Sequence, residues 1–170
     1  EIKFQARDKS VQYVHGTSWG VSTRMIGAVI MAHGDDGGLI LPPRIAPYQV
    51  VIVPIPRANW KETVLPRAQA IRDDLVAAGV RVMLDDRDTQ TPGWKFNEWE
   101  LRGVPLRLEI GPKDIEKSQV VLARRDTREK AFVPMEGLTP KVQALLLAIQ
   151  QALYERAIQF RAEHTTEADS

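Results

Sequence analysis

The chain has 170 residues, 44% of them hydrophobic and 26% charged, with a formal net charge of +1. That length allows one well-filled core, or one domain plus a piece of a second, and the near-neutral balance argues against a nucleic-acid binder that works through bulk charge. The absence of cysteine excludes a disulfide framework and any cysteine-ligated zinc within these residues and fits a reducing compartment, while the longest apolar stretch, residues 25–32, is too short to span a bilayer.

Phe4 and residues 11–14 are expected on extended segments. Ser22 and Thr23 can cap a helix from Arg24 to about His33, which is apolar on nearly every side and therefore expected to be buried. Gly34 and the cluster Asp35-Asp36-Gly37-Gly38 end it in a turn. Residues 39–41 read as a short strand, and Pro42, Pro43 and Pro47 stiffen the connection, placing a domain boundary near Ala46.

Beyond that point, residues 49–55 form a buried strand of β-branched residues. A helix over 63–78 aligns Val64, Ala68, Ile71, Leu75 and Ala78, with Gly79 as its stop. Pro66 is tolerable only in the first turn, which argues against a start at Trp60. Strands follow at 80–84, 106–110, 119–123 and 131–133, with a short helix at 94–101 and a charged turn over 126–130. Thr139-Pro140 opens the last helix, with proline at its first position. That helix is expected to bury Val142, Leu145, Leu146, Ile149, Leu153 and Phe160, and to fray from Arg161. Together these segments predict an α/β fold, a mixed five-stranded sheet flanked by helices, with no internal repeat.

Several residue groups invite chemistry. In Gly16-Thr17-Ser18-Trp19-Gly20-Val21-Ser22-Thr23-Arg24-Met25-Ile26-Gly27-Ala28, one arginine sits where an extended run meets an apolar one. Its guanidinium is a planar fork of donors suited to a phosphate or carboxylate, and neighbouring glycines let a flat ligand approach the backbone. The same pattern equally describes a strand, a turn and a buried helix whose arginine makes a structural ion pair. Between Lys95 and Lys130 there are nine Lys or Arg against seven Asp or Glu. Glu100, Arg107 and Lys113 in that span could be a solvated face or a helix-to-strand ion pair. Phe96 and Trp99 are expected against the sheet and Trp94 on an exposed face. Asp85-Asp86-Arg87-Asp88 lacks the glycine and glutamate of a calcium loop and reads as a charged loop end that positions the next helix. His15, His33 and His164 are scattered, without metal-ligand spacing.

The 16–28 segment resembles the third signature motif of class II aminoacyl-tRNA synthetases, in the form found in prolyl-tRNA synthetases. The stretch from His33-Gly34-Asp35-Asp36-Gly37-Gly38 through Pro42-Pro43-Arg44-Ile45-Ala46-Pro47 is similar to the same family. So are Pro92-Gly93-Trp94-Lys95-Phe96-Asn97-Glu98-Trp99-Glu100-Leu101-Arg102-Gly103-Val104-Pro105 and Gly111-Pro112-Lys113-Asp114. The resemblance implies that Arg24 lies against the phosphates of ATP as a catalytic residue, with Ser22 a second ATP contact. It also places Trp19 and Gly20 beside the proline pocket and implies ATP with Mg2+ as the parent's cofactor, with no metal ligand in these residues.

The second half is then the anticodon-binding domain shared by the glycyl, histidyl, threonyl and prolyl enzymes. Proline tRNAs carry two guanines in the last two anticodon positions. A guanine offers O6 and N7 acceptors and N1 and N2 donors, so a site for it wants Arg or Lys together with Asp or Glu. Matching positions assign Glu100, Arg107 and Lys113 to this task, with Lys130 a fourth candidate. The implied boundaries are residues 1–45 as the end of the catalytic domain (a strand-helix-strand remnant), 46–160 as the anticodon-binding domain and 161–170 as a linker.

The chain starts at Glu1 rather than a methionine, without a secretory leader, and is expected to be a piece beginning in mid-strand. The first two signature motifs would lie upstream, so this piece alone should be inactive. The parent is expected to be cytoplasmic, free of membrane and homodimeric, with the fragment monomeric. The rivals are a non-catalytic tRNA-binding module and an accessory-subunit paralogue. Intact Ser22, Thr23 and Arg24 argue against the paralogue.

Overall fold

A computed structural model describes residues 2–57 and 59–166. Glu1, expected in mid-strand, and residues 167–170 of the expected linker lie outside them. Strands β1 (Lys3–Gln5) and β2 (Val11–Tyr13) pair as an antiparallel hairpin. After an irregular segment comes α1 (Arg24–His33), then a second small hairpin of β3 (Gly34–Asp35) and β4 (Gly38–Leu39). The first part is thus hairpin, helix, hairpin rather than strand-helix-strand, and the strand expected over 39–41 is confined to Gly38–Leu39.

The rest comprises β5 (Val50–Pro54), the single-turn α2 (Trp60–Thr63), α3 (Leu65–Ala77), β6 (Val82–Leu84), α4 (Pro92–Leu101), β7 (Leu106–Ile110), α5 (Pro112–Glu116), β8 (Gln119–Arg124), β9 (Lys130–Pro134) and α6 (Leu138–Glu163). Five of these strands form one sheet in the order β6-β5-β7-β8-β9. β5 runs parallel to β6 and β7, whereas β7, β8 and β9 pair antiparallel. All five residues of β5 are buried, as a run of Val and Ile covered on both faces requires.

On one face α3 and α6 close the main core: Ala68, Ile71 and Leu75 with Val142, Leu146, Ile149 and Leu153 pack over Val50, Ile52, Leu106 and Leu108. On the other, Trp99, Val104 and the partly buried Phe96 meet Val51, Val53 and Met83. Pro66 cannot donate to the helical ladder. The chain therefore takes one turn at Trp60, breaks at Val64 and restarts with Pro66 in the first turn of α3.

Two burial expectations fail. α1 buries none of its residues, and Met25, Ile26, Ile30 and Met31 are exposed. An all-round apolar helix is buried only where other elements surround it, and among the described residues none covers those sides. Phe160 is 62% exposed; it lies about two turns beyond Leu153, the last buried residue of α6, and stacks instead on His164 with ring centroids 4.1 Å apart.

Two contacts lock this frame. Asp85, directly after β6, is 1% exposed. Its carboxylate accepts from Arg87 Nε and Nη2 at 2.8 and 2.6 Å and from Trp99 Nε1 at 2.7 Å. The Lys95 ammonium lies 3.5 Å away and donates to the backbone oxygens of Asp85 and Arg87. Trp99 and Lys95 both belong to α4, so this loop end does position the next helix. Elsewhere, the β3–β4 hairpin lies on the turn between α4 and β7. A Cβ on Gly38 would stand 2.6 Å from Leu101 Cα, and one on Gly103 would stand 2.5 Å from Leu39 Cβ. Leu41 N donates to Gly103 O at 3.1 Å. The Arg125 guanidinium clasps Asp35 through Nη2 at 2.5 Å and Nη1 at 3.0 Å, while its Nε donates to Glu100 O at 3.0 Å.

Burial raises the Asp85 pKa, but hydrogen bonds from Arg87 and Trp99 and the charge of Lys95 outweigh it and hold the carboxyl at about 2, below the ordinary 3.8. A depressed carboxylate stabilises the fold above its unfolded pKa, and that contribution disappears as pH falls through the folded value. Asp85→Asn, which strands a buried lysine, is expected to cost about 3 kcal/mol at pH 7 in urea unfolding. The gap to the wild type should narrow between about pH 4 and pH 2; a gap independent of pH would contradict the assignment. Gly103→Ala is expected to destabilise by clearly more than Gly79→Ala. Both glycines have positive φ, 74° and 81°, but a Cβ at Gly79 meets nothing within 4 Å. Equal losses would show that the close approach of the hairpin contributes nothing.

Candidate functional site

The alternation of β7 sends Leu106, Leu108 and Ile110 into the main core and Arg107 and Glu109 to the opposite face. The register carries that face across the sheet in two rows. One runs Val51, Arg107, Ala123, Lys130; the next runs Val53, Glu109, Val121, Phe132. α4 packs over the β5 and β6 end of these rows, and the β8–β9 end carries the exposed Lys130 and Phe132.

At the border of covered and open sheet the charged side chains interlock. Arg107 Nη1 donates to Glu100 Oε1 at 2.6 Å and Nε to Glu109 Oε1 at 3.0 Å. Lys130 Nζ donates to the same Glu109 oxygen at 3.0 Å. The Phe96 ring lies beneath both cations, 4.2 Å from Arg107 Cζ and 5.4 Å from Lys130 Nζ, a stacking that favours arginine's flat guanidinium. Arg107 is 8% exposed by side chain, against 49% for Glu100 and 51% for Lys130. The result is a held arginine flanked by an accessible carboxylate and an accessible ammonium, so acceptors and donors stand side by side.

The fold thus brings together Glu100, Arg107 and Lys130 and adds Glu109, which the sequence reading passed over. Its signal was present: Glu109 follows Arg107 by two positions on one strand, hence on one face. Lys113 stands apart, on α5 just past the end of β7. There it lines an open cleft of about 590 Å³ with Ile55, Arg57, Asp114 and Glu116. Gly111 N donates to Asp114 Oδ2 at 2.9 Å, setting the start of that short helix. Trp94 is 45% exposed and Trp99 3%, and the half-buried Phe96 packs beside Trp99, in line with the sequence reading of these three.

The other candidates lie at the start of α1. Ser22, Arg24 and Gly20 are exposed on or beside an irregular segment, and Trp19 is 93% exposed. Thr23 is the N-cap residue without a side-chain cap bond, and Arg24 N donates to Ser22 Oγ at 3.4 Å. An exposed arginine at a helix start fits a phosphate by charge, although the first backbone donors there are engaged: Met25 N donates to Ser22 O and Ile26 N to Thr23 O. The described residues around it, however, enclose neither a nucleotide nor a side-chain pocket for proline. Among the described residues there is no group of three or more His, Cys, Asp or Glu able to hold a metal, and no helix long and apolar enough to cross a membrane.

Comparison with known proteins bears on the second half of the chain first. The family described as "Anticodon binding domain" matches residues 49–145. Among curated proteins, the chain is 54% identical over 165 residues to a proline–tRNA ligase of Symbiobacterium thermophilum, covering 97% of this chain and 34% of that protein. It is 54% identical over 170 residues to one from Roseiflexus sp. strain RS-1, covering 98% and 35%, and 57% identical over 164 residues to one from Clostridium novyi, covering 96% and 34%. The chain therefore spans about a third of the length of these relatives. With its five-stranded mixed sheet and a match over more than half its residues, the chain belongs to the anticodon-binding domain family.

Proposed function

We propose that this chain is the anticodon-reading part of a proline–tRNA ligase, joined to the segment that contacts ATP. The observation that carries the reading is the cluster of Glu100, Arg107, Glu109 and Lys130 on the open sheet face, within the matched residues 49–145. Guanidinium and ammonium donors suit O6 and N7 of guanine, and the carboxylates suit its N1 and N2 donors. Lys113, on α5 just past the end of β7, contributes to reading the neighbouring guanine.

Residues 1–45 belong in this reading to the end of the catalytic domain, 46–160 to the anticodon-binding domain and 161–170 to a linker. In the whole ligase, which would be cytoplasmic and homodimeric, Arg24 binds the phosphates of ATP with Ser22 beside it, and Trp19 and Gly20 border the proline pocket. Bound ATP with Mg2+ would offer its α-phosphate to the proline carboxylate, with pyrophosphate as the leaving group, before the prolyl group passes to its tRNA. Arg24 offsets charge on the phosphates, and the distant sheet face selects the tRNA.

Fluorescence anisotropy with a proline anticodon stem-loop tests the reading. Arg107→Ala is expected to weaken binding and relax discrimination at one guanine by roughly 1–3 kcal/mol. Equal weakening towards every loop sequence would make Arg107 a phosphate contact and contradict it. In the whole ligase, Arg24→Ala should leave stem-loop binding unchanged while abolishing most proline-dependent pyrophosphate exchange; unaltered exchange would remove Arg24 from the ATP site.

A further inference from the structure

Phe132 lies in the middle of the edge strand β9 and is 69% exposed. Among the described residues 49–145 it is the most exposed large apolar side chain. The others above one-third exposure, Val76, Trp94 and Leu101, are on helices. Its burial pattern is that of an outward residue, since Val133 beside it points into the main core. An edge strand with a bare aromatic ring is a pairing and aggregation hazard that folds ordinarily blunt, and stability offers no reason for this ring: it packs into neither core cluster.

Its place in the register supplies a reason. Phe132 pairs with Val121, which pairs with Glu109, so the ring shares a row with one carboxylate of the cluster. Two strand spacings separate Phe132 from Glu109, about 10 Å. Lys130 precedes it by two positions on the same face, about 7 Å away. A second aromatic, Phe96, closes the far side of the cluster under Arg107 and Lys130. The open face therefore presents a donor and acceptor group with one ring occupied by cations and another free. Every nucleobase has an apolar π-face, and bases splayed from a single strand rest on such rings without regard to sequence.

We propose that Phe132 is a stacking platform for an unpaired base of the anticodon loop adjacent to the bases read by Glu100, Arg107, Glu109 and Lys130. This rests on the anticodon-reading function proposed above and adds a sequence-independent contact to it. The occupant is a single-stranded RNA base rather than a protein segment, because the polar groups bordering the ring pair donors with acceptors as a base edge does, and because the ring falls within the anticodon-binding match.

The test uses the 170-residue chain and a proline anticodon stem-loop carrying 2-aminopurine at each loop position in turn. Stacking on Phe132 should quench one position, and Phe132→Leu, equally apolar but without a ring, should abolish that quenching. The same variant should weaken binding about tenfold for guanine-bearing and guanine-replaced loops alike, leaving their ratio unchanged, and Phe132→Trp should restore it. Undiminished affinity and quenching in Phe132→Leu, with Arg107→Ala still losing discrimination, would overturn the stacking role alone. Loss of discrimination in Phe132→Leu would make the ring part of guanine selection and also overturn it. If the wild-type chain binds no stem-loop, the anticodon-reading function fails and this inference with it. A chain that self-associates through β9, with Phe132→Leu monomeric and full in RNA affinity, would give the face to a second copy.

Discussion

The buried Asp85 carboxylate is the contact on which the functional face depends. α4 is a short helix with a weak amphipathic pattern, and its sequence alone would not hold it in one orientation. Asp85 binds two of its residues, Lys95 and Trp99, one turn apart, from the end of the edge strand β6. Removing either partner leaves a charge or a polar group in a dry interior, a cost of several kcal/mol for a buried ion. The orientation of α4 then places Phe96 under Arg107, aims Glu100 at Arg107 and sets the turn at Gly103 that receives the β3–β4 hairpin. Arg125 ties the same turn to Asp35. A single interior carboxylate thus organises both the sheet face and the attachment of the segment before it.

The charge arrangement suits the RNA selection proposed for this chain of net charge +1. Bulk positive charge yields affinity without selectivity, because phosphates are the same in every sequence. Here the two cations of the cluster are matched by two carboxylates, so the face has little net attraction for phosphate. Its strength is directional. Glu100 and Lys130 are half exposed, and pairs of that kind contribute little in water, so a base edge can replace their partners at small cost. Arg107 is already held by Glu109 and Phe96 and loses little freedom on binding.

Legibility in the sequence followed the range of the interactions involved. β7 is located to the residue, because the strict alternation of apolar Leu106, Leu108 and Ile110 with charged Arg107 and Glu109 is a local signal. The double role of Pro66, barred from a helix interior yet present after a turn at Trp60, was half visible: proline chemistry dictated the break but not the short helix before it. The burial of α1 and Phe160 was misjudged because an apolar side chain states a preference, and burial also needs a neighbour. α5 was passed over because Gly111-Pro112-Lys113-Asp114 read as a signature string, although its Asp114 bond to Gly111 N marks a helix start. The clasp of Arg125 on Asp35 joins residues 90 positions apart and has no local signal. At the site, the resemblance groups Glu100, Arg107 and Lys113, with Lys130 as a fourth; the fold gathers Glu100, Arg107 and Lys130 but sets Lys113 apart on α5, and Glu109 and Phe132 come from strand register, which no motif carries.

In the proposed function this sheet face distinguishes guanine by its base edge. Its most direct test is the affinity of the 170-residue chain for a proline anticodon stem-loop against the same loop with both guanines replaced by adenine. Adenine keeps the N7 acceptor but exchanges the O6 acceptor for an amino donor and lacks the N1 and N2 donors, so it mismatches one cation and both carboxylates. The account predicts at least tenfold tighter binding of the guanine loop, about 1.4 kcal/mol, with the ratio preserved as salt is raised. Equal affinity for the two loops, falling together with salt, would contradict it.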